Sequence, residues 1–255
     1  MQFYFRTVFV SSTMFVMVEV PTPPWRTPRK PRPPRRPLSR EAIVEVALTL
    51  LDRDGYDELS MRRIAQELGT GPASLYAHVS GKDELLELMH DRVTAEIVVP
   101  EPDPARWQEQ VKDIARQTYR VYAKHTNIAR ATMATIPTGP NALRVADGLL
   151  GVLRAGGVPA QPAAWFLDRL FLYIAGDAFE GSLLQARQRA AGKDQETWWS
   201  ELSGQLRGYF RGLPPEHFPH LTGMVDEMFS GDGDDRFEFG LEMLVGGIAG
   251  YARPA

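Results

Sequence analysis

The stretch from Ser60 to Lys82, SMRRIAQELGTGPASLYAHVSGK, constrains the fold of this chain more than any other part of it. Ser60 is a good N-cap residue, and Gly69 predicts the end of the helix that Ser60 begins. Pro72 suits the first turn of a second helix, where its missing N–H leaves no bond unmade. The apolar residues of the first helix share one face: Ile64, Ala65 and Leu68. The stretch therefore predicts two short helices joined by a tight turn.

The second of these helices has one inward face and one outward face. Leu75 and Val79 form the inward pair. The outward face consists of small or hydroxyl-bearing residues: Ala73, Ser74, Tyr76 and Ala77. Such side chains let a helix lie close to the floor of a DNA groove. The same pattern is also compatible with a surface helical hairpin that has no partner, because short helices joined by a glycine turn are common.

The flanking sequence favours the DNA-reading interpretation. LSREAIVEVALTLLDRDGYDEL predicts a preceding helix that stops near Gly55, and Ser80 with Asp83 fits a capping box that opens KDELLELMHDRV. These motifs, with GYDELSMRRIAQELG and LYAHV in the same order, make residues 38–98 resemble the N-terminal domain of the TetR family of transcriptional repressors. The resemblance implies that the second and third helices form a helix-turn-helix. It also implies that the fourth helix connects this DNA-binding head to a helical body.

The resemblance also implies which residues touch DNA: Arg62, Thr70, Gly71, Ala73, Ser74, Tyr76, His78 and Lys82. Their chemistry agrees, because tyrosine, histidine and lysine side chains can donate to phosphates, whereas Arg62 and Ser74 can reach base edges. One departure from the family lies at Gly71, Pro72 and Ala73, where many relatives carry longer polar side chains. We therefore expect few direct base contacts from the tip of this helix, with DNA shape supplying the rest of the specificity.

Charge is unevenly distributed along the chain. The 255 residues carry a formal net charge of −3, but residues 21–40 hold seven Arg or Lys and no acid, which leaves 22 basic and 32 acidic residues elsewhere, a net charge of −10. Proline is too frequent in this basic segment for a helix or a central strand, so the sequence predicts an extended arm. Such an arm can follow DNA, and a solvated linker is an equally good interpretation.

The first twenty residues are apolar but interrupted, and too short in apolar runs to span a bilayer. A dispensable extension, or a start codon assigned too far upstream, explains them better than a signal peptide does. The predicted organisation is a largely disordered extension and arm at 1–37, a head at 38–99 and a body at 105–255. The absence of cysteine excludes disulfides and thiolate chemistry and is compatible with the cytoplasm.

The body reads as helical throughout, with its longest helix over Gln161 to Arg189 and its last one opened by Asp234 or Asp235. YIAGDAFEGS and RFEFGLEML are similar to the C-terminal domains of relatives near the tetracycline repressor. That resemblance implies a homodimer built from the longest and last helices. We expect the interface to use seven residues, each of which also fits an ordinary core: Phe171, Ile174, Gly176, Phe179, Leu241, Leu244 and Gly247.

The body also concentrates aromatic rings with polar tips, which suits a pocket for a mainly apolar or aromatic small molecule. Each of the predicted lining residues fits plain core as well: Met89, Val93, Trp107, Tyr119, Tyr122, Trp165, Phe166 and Tyr173. The five histidines show no metal-ligand spacing, and DGDD lacks the glycine and glutamate of a calcium loop. We expect no metal, no cofactor and no catalytic set.

The sequence thus predicts an all-α protein with a three-helix helix-turn-helix head followed by a larger helical ligand-binding and dimerisation domain. The predicted function is a sequence-specific DNA-binding regulator. The resemblance further implies a repressor that a small-molecule effector releases from an approximately palindromic operator. The alternative is a helical ligand-binding or interaction protein whose head no longer reads specific DNA.

Overall fold

The computed structural model describes residues 3–8, 16–21, 38–125, 127–132 and 138–253. The chain divides into two compact units, Met1–Leu38 and Ser39–Ala255. Each unit is described by itself below.

The first unit contains an antiparallel pair of strands, β1 (Phe3–Val8) and β2 (Val16–Pro21), in a register that sets Phe3 opposite Pro21 and Val8 opposite Val16. The prediction of a largely disordered extension is therefore wrong for these residues. Both strands are rich in aromatic and β-branched residues, which suit a pleated backbone. The predicted basic arm, residues 22–37, lies outside the described residues.

The second unit begins with four helices: α1 (Arg40–Asp54), α2 (Met61–Glu67), α3 (Pro72–Leu75) and α4 (Lys82–Thr94). The N-cap at Ser60 is confirmed, since its Oγ accepts from the N–H of Arg63 at 3.3 Å. The predicted inward faces are also confirmed, because Ile43, Ala47 and Leu75 are completely buried.

Eight further helices follow: α5 (Trp107–Lys124), α6 (Ile128–Thr132), α7 (Pro140–Ala155), α8 (Ala160–Ala191), α9 (Gln195–Arg211), α10 (Pro219–Gly223), α11 (Val225–Met228) and α12 (Gly233–Ala249). The longest, α8, has 32 residues and is about 48 Å long. It packs against α5, α6, α7 and α12, and α9 packs against α8. The all-α class is therefore confirmed for this unit, and within the described residues no helix is long and apolar enough to cross a membrane.

Two predicted helix caps are wrong. Helix α4 has its N-cap at Gly81, one residue later than predicted, so Glu84 and not Asp83 reaches back, accepting from the N–H of Ser80 at 2.6 Å. Helix α12 is capped by Asp232, with Asp235 completing a capping box. In both cases several candidate caps stand side by side in the sequence, and the position at which the preceding loop ends selects among them.

Candidate nucleic-acid interface and its links to the body

The turn between α2 and α3 has a geometry that its backbone alone maintains. Gly69 has φ +62, its N–H bonds to the carbonyl of Gln66 at 3.0 Å, and the N–H of Thr70 bonds to that of Ala65 at 2.9 Å. These are the two bonds of a Schellman ending, which favours glycine at the left-handed position. Gly71 and Pro72 then start α3 directly. The angle between the two helices is therefore fixed by four consecutive residues.

Helix α3 ends at Leu75 and does not continue to Val79 as predicted, but the helix and the turn after it present the predicted outward face to solvent. Ala73, Ser74 and Ala77 are exposed, and the Tyr76 ring is 54 % exposed. Leu75 and Val79 anchor the opposite side in the core. A short helix with a flat, small-residue outer face and a buried inner pair has the shape required for insertion into a major groove.

The two neighbouring arginines of α2 differ in their surroundings. Arg63 donates through Nε and Nη2 to Asp54 Oδ2, at 3.1 and 2.9 Å. Arg62 is exposed, and within the described part of the chain it makes no hydrogen bond or ion pair. Arg62 is therefore available to a base edge or phosphate, whereas Arg63 is held by its own domain.

Arg40, which the sequence analysis did not select, holds the connection between α3 and α4. Its Nε donates to the carbonyl of His78 at 3.1 Å, and its Nη2 lies 3.2 Å from Glu84 Oε1. His78 and Thr70, two of the predicted DNA contacts, are only partly exposed. Arg40 therefore positions the backbone that follows the reading helix, and only its place in the basic segment marked it in the sequence.

Lys82, the last predicted DNA contact, is not free in the structure. Its Nζ lies 4.4 Å from the centroid of the Tyr56 ring, and the Arg130 guanidinium of α6 lies 4.6 Å from the same centroid. Cations at these distances from a tyrosine ring are attracted to its electron-rich face. Lys82, the first residue of α4, is therefore held against the ring of Tyr56.

Helices α4 and α7 cap each other. Asp91 Oδ1 accepts from the backbone N–H groups of Asn141 and Ala142 at 2.7 and 3.1 Å, at the start of α7. In return, Arg144 Nη2 donates to the carbonyls of Thr94 and Ile97 at 3.4 and 3.0 Å, at the end of α4. These contacts satisfy helix-end groups that have no partner within their own helix. They join the helix that carries Lys82 to the body.

Replacing Asp91 with alanine is expected to lower the free energy of unfolding by about 1–2 kcal/mol, because the start of α7 loses its only side-chain cap within the described residues. Asp147→Ala, at an exposed position on the same helix, is the matched control and should stay within about 0.5 kcal/mol of wild type. Urea unfolding followed by circular dichroism measures both. Equal losses in the two variants would show that Asp91 is not an effective cap.

A buried polar pair lies further along α4. His90 Nε2 is 2.8 Å from the Tyr122 hydroxyl of α5, and His90 is only 9 % exposed. Burial lowers the pKa of His90 to about 4. Met89 and Val93, on the same helix, are fully enclosed. The imidazole is therefore neutral at physiological pH, and its hydrogen bond joins α4 to α5.

The structure separates the eight predicted pocket residues. Trp107 is buried beneath Gly156 at the end of α7, where a Cβ would overlap the indole ring. Met89, Val93 and Tyr122 lie in the core around His90, and Phe166 is buried in α8. Trp165 is 67 % exposed in the single chain, apart from the buried members of the set, and its place in an effector pocket stays a prediction. Tandem aromatic residues on a helix point about 100° apart, and here only Phe166 turns inward.

Tyr119 and Tyr173 remain together, on either side of an aromatic stack. Their ring centroids lie 4.1 and 5.6 Å from that of Phe237, nearly parallel to it. Tyr173 donates to the Phe237 carbonyl at 2.8 Å, a contact that Gly240 permits because a Cβ there would overlap the hydroxyl. Burial raises the pKa of Tyr173 to about 12, and the nearby carboxylate of Asp177 adds to the shift. Both tyrosines are half-buried.

Ion pairs join α5 to α12 beside this stack. Arg116 forms a bidentate pair with Glu238, with both N–O distances at 2.8 Å. Lys112 pairs with Glu242 and, at 3.1 Å, with Glu109. These contacts hold α12 against α5.

Exposed apolar residues form one stripe on α8 and another on α12. On α8 the exposed members are Trp165, Leu172 and Leu183, and the partly exposed Gly176 and Phe179 continue the stripe at helical spacing. On α12 it contains Phe239, Met243, Gly246 and Gly247. Within this chain, a Cβ at Gly176, Gly246 or Gly247 would meet nothing within 4 Å. Large apolar faces of this kind on a folded chain mark sites where another surface binds.

Of the predicted dimer contacts, Gly176, Phe179 and Gly247 lie on these stripes. Ile174 and Leu241 do not, because both side chains are fully buried within the chain. Phe171 and Leu244 are partly covered and lie at the flanks. The prediction is therefore wrong for Ile174 and Leu241. Helix α8 is apolar on more than one face, so apolarity alone does not separate the side facing the core from the side facing outward.

A helix-turn-helix head on a helical body with an uncovered apolar face defines a dimeric DNA-binding regulator. Two family models match the chain, "Bacterial regulatory proteins, tetR family" at residues 43–89 and "Tetracyclin repressor-like, C-terminal domain" at residues 99–251. Since the second covers more than half of the chain, the chain belongs to the TetR family of transcriptional regulators.

Curated and solved relatives agree with this assignment. The chain is 30 % identical over 230 residues to the transcriptional repressor DrrR1 of Streptomyces coeruleorubidus, covering 88 % of this chain and 82 % of that protein. Apo ActR of Streptomyces coelicolor superposes with a TM-score of 0.74 at 40 % identity, over 86 % of this chain and all of ActR. ActR in complex with actinorhodin gives 0.75 at 42 % identity, over 85 % and 97 % of the two chains. The protein is thus a dimeric, DNA-binding transcriptional regulator, and a DNA-independent ligand-binding protein is not favoured.

Proposed function

We propose that the exposed face of α3, with Arg62 beside it, reads the operator. The observation that supports this most strongly is the contrast between Arg62 and Arg63. Arg63 is paired with Asp54, whereas Arg62 is unpaired within the described residues. Ser74 and Ala73 face the groove floor, and Tyr76, His78 and Lys82 contact phosphates. Thr70 and Gly71 bring the backbone of the turn close to the DNA. Two heads in a dimer then read half-sites about one turn apart, in an approximate palindrome.

Arg62→Ala is expected to reduce the difference in binding free energy between operator and random DNA by about 1–3 kcal/mol, because a bidentate contact to a base edge is lost. Arg63→Ala removes the same charge from the neighbouring position but should leave that gap nearly unchanged, since Arg63 is bound to Asp54. Fluorescence anisotropy with both duplexes measures the difference. An equal loss of specificity in the two variants would refute the assignment of Arg62 to a base.

We infer that the dimer forms through the two apolar stripes of α8 and α12. Gly176, Gly246 and Gly247 leave open space at their Cβ positions, which permits close approach of a second backbone. The ion pairs between α5 and α12 use Glu238 and Glu242, which are not members of the stripes. A symmetric pair of such faces buries the same residues twice.

The effector is proposed to be a mainly apolar or aromatic small molecule, as the sequence predicts. The proposed site uses fewer residues than the sequence predicts. Tyr119 and Tyr173 offer half-buried ring faces beside Phe237, and their hydroxyls supply polar groups to orient a ligand. The solved complex of ActR with actinorhodin supports a ligand site in this part of the family. The effector must prefer the body conformation that holds the heads at the wrong spacing.

The basic arm is proposed to follow DNA phosphates next to the head, and its charge density supports this role.

The protein is proposed to act in the cytoplasm, where its DNA lies, and without catalysis. The described residues hold no group of three or more metal-ligating side chains.

A gel shift with the region upstream of the protein's own gene tests the proposed function. Binding to this duplex at a concentration where a random duplex stays free is the expected result. Binding that never exceeds that of the random duplex for any genomic fragment would make the head a non-reading domain.

A further inference from the structure

Four side chains meet where the loop between α1 and α2 lies against α4 and α6: Tyr56, Asp57, Lys82 and Arg130. Arg130 donates through Nη1 and Nη2 to the two carboxylate oxygens of Asp57, both at 2.9 Å. The cations of Lys82 and Arg130 share the Tyr56 ring. Asp57 is 79 % exposed, so the cluster lies at the surface.

The charges in this cluster compete with one another. The hydrogen bonds from Arg130 lower the pKa of the Asp57 carboxyl, and the charges of Arg130 and Lys82 lower it further. Asp57 is thus an ionised oxyanion that feels the charge of Lys82. A carboxylate and a DNA phosphate bind an ammonium group in the same way, so Asp57 and DNA are rivals for Lys82. While Arg130 occupies both oxygens of Asp57, the contact that holds Lys82 within the described residues is a ring face, which a phosphate can replace.

We propose that Asp57 is an internal competitor for Lys82, and that Arg130 keeps this competitor occupied so that Lys82 can bind the DNA backbone. The proposal rests on the proposed phosphate contact of Lys82. Without Arg130, the free carboxylate draws Lys82 away from DNA and also repels the phosphates.

The position of Arg130 is set by the body. Its neighbours Ile128 and Ala129 are 0 % and 1 % exposed, and α6 packs against both α4 and α8. A shift of α6 therefore moves Arg130 relative to Asp57, which belongs to the head. The cluster converts a movement of the body core into a change of charge beside the DNA.

The test uses the full chain and a random-sequence duplex, because a lysine–phosphate contact does not depend on base sequence. Arg130→Met is expected to weaken binding about fivefold and to reduce the salt slope by about 1, the value for one lost phosphate contact. Asp57→Asn should bind at least as tightly as wild type. The double variant should return to within about twofold of wild type, because the competitor is gone. In a Lys82→Ala background, Arg130→Met should weaken binding less than it does in wild type, because only the repulsion between Asp57 and the phosphates remains.

The opposite pattern identifies a purely structural ion pair. If Arg130 and Asp57 only fasten α6 to the head, Asp57→Asn will weaken binding as much as Arg130→Met does, and the double variant will match either one. That pattern, or an unchanged affinity in Arg130→Met, overturns the proposal. Arg130→Lys keeps the charge and should stay within about twofold of wild type, whereas a loss equal to that of Arg130→Met also overturns it.

Thermal melts check that every variant is folded, which we expect because an exposed ion pair contributes little to stability. If wild-type protein binds neither the random duplex nor any operator fragment, the proposed DNA-binding function is wrong. If wild type binds and the variants follow the structural pattern, only the inference about Asp57 is wrong.

Discussion

Replacing Leu172 with aspartate is expected to convert the dimer into monomers and to abolish tight operator binding. Leu172 lies in the middle of the α8 stripe and is 50 % exposed in the single chain. A carboxylate buried there in a dimer has no compensating partner, and symmetry places it in the interface twice. We expect a loss of at least about 4 kcal/mol per dimer, which raises the dimer Kd about a thousandfold.

Leu143→Asp is the matched control, because Leu143 on α7 is 53 % exposed and lies outside both stripes. It should sediment as a dimer and bind the operator as wild type does. Sedimentation velocity across a concentration series measures the oligomeric state. Persistence of the Leu172→Asp dimer would place the interface elsewhere, and dissociation of both variants would show that the effect is not specific to α8.

The second large effect is on stability at acid pH. As the pH falls from 6.5 to 4, protonation of His90 is expected to lower the free energy of unfolding by about 3 kcal/mol. Its pKa in the folded chain is about 4 because of burial, against an ordinary value of 6.5. The unfolded chain therefore binds this proton first as the pH falls. The stabilisation is complete above the ordinary pKa, and it is lost progressively down to the folded one.

Urea unfolding at a series of pH values measures this loss. His90→Gln should give a shallower profile than wild type over the same range, even though the substitution itself changes stability at pH 7. His217→Gln, at an exposed position, should leave the wild-type slope intact. Parallel profiles for wild type and His90→Gln would mean that some other group is responsible for the acid sensitivity.

Local chemistry explains why the head was predictable from the sequence. The N-cap at Ser60, the left-handed Gly69 and the first-turn Pro72 each act within a few residues, so their pattern specifies the turn directly. The faces of α1 and α3 followed from helical periodicity. The contrast between Arg62 and Arg63 was not predictable in this way. Asp54, which pairs with Arg63 and not with Arg62, belongs to another helix.

The body was predictable only as a set of helices. Asp91 caps a helix that starts about 50 residues later, and Arg130 binds an aspartate 73 residues earlier. No local pattern encodes such partners. Helix α8 is apolar on two sides. The sequence therefore placed Ile174, which is buried in the core, in the predicted dimer interface and did not indicate the exposed Leu172. The pair of strands β1 and β2 was not predicted, although their aromatic and β-branched residues favour strands.

The reciprocal caps between α4 and α7 restrict how this protein can move. Sliding one helix along the other would break the bonds of Asp91 and Arg144 together, whereas tilting the two as one piece breaks neither. Stiffness at this joint is therefore compatible with signalling, provided that the flexible element lies elsewhere. Amide protons at the start of α7 and the end of α4 should then exchange with solvent as one cooperative group. A substitution that loosens this joint would weaken the fold and the transmission of the effector signal to the heads in the same step.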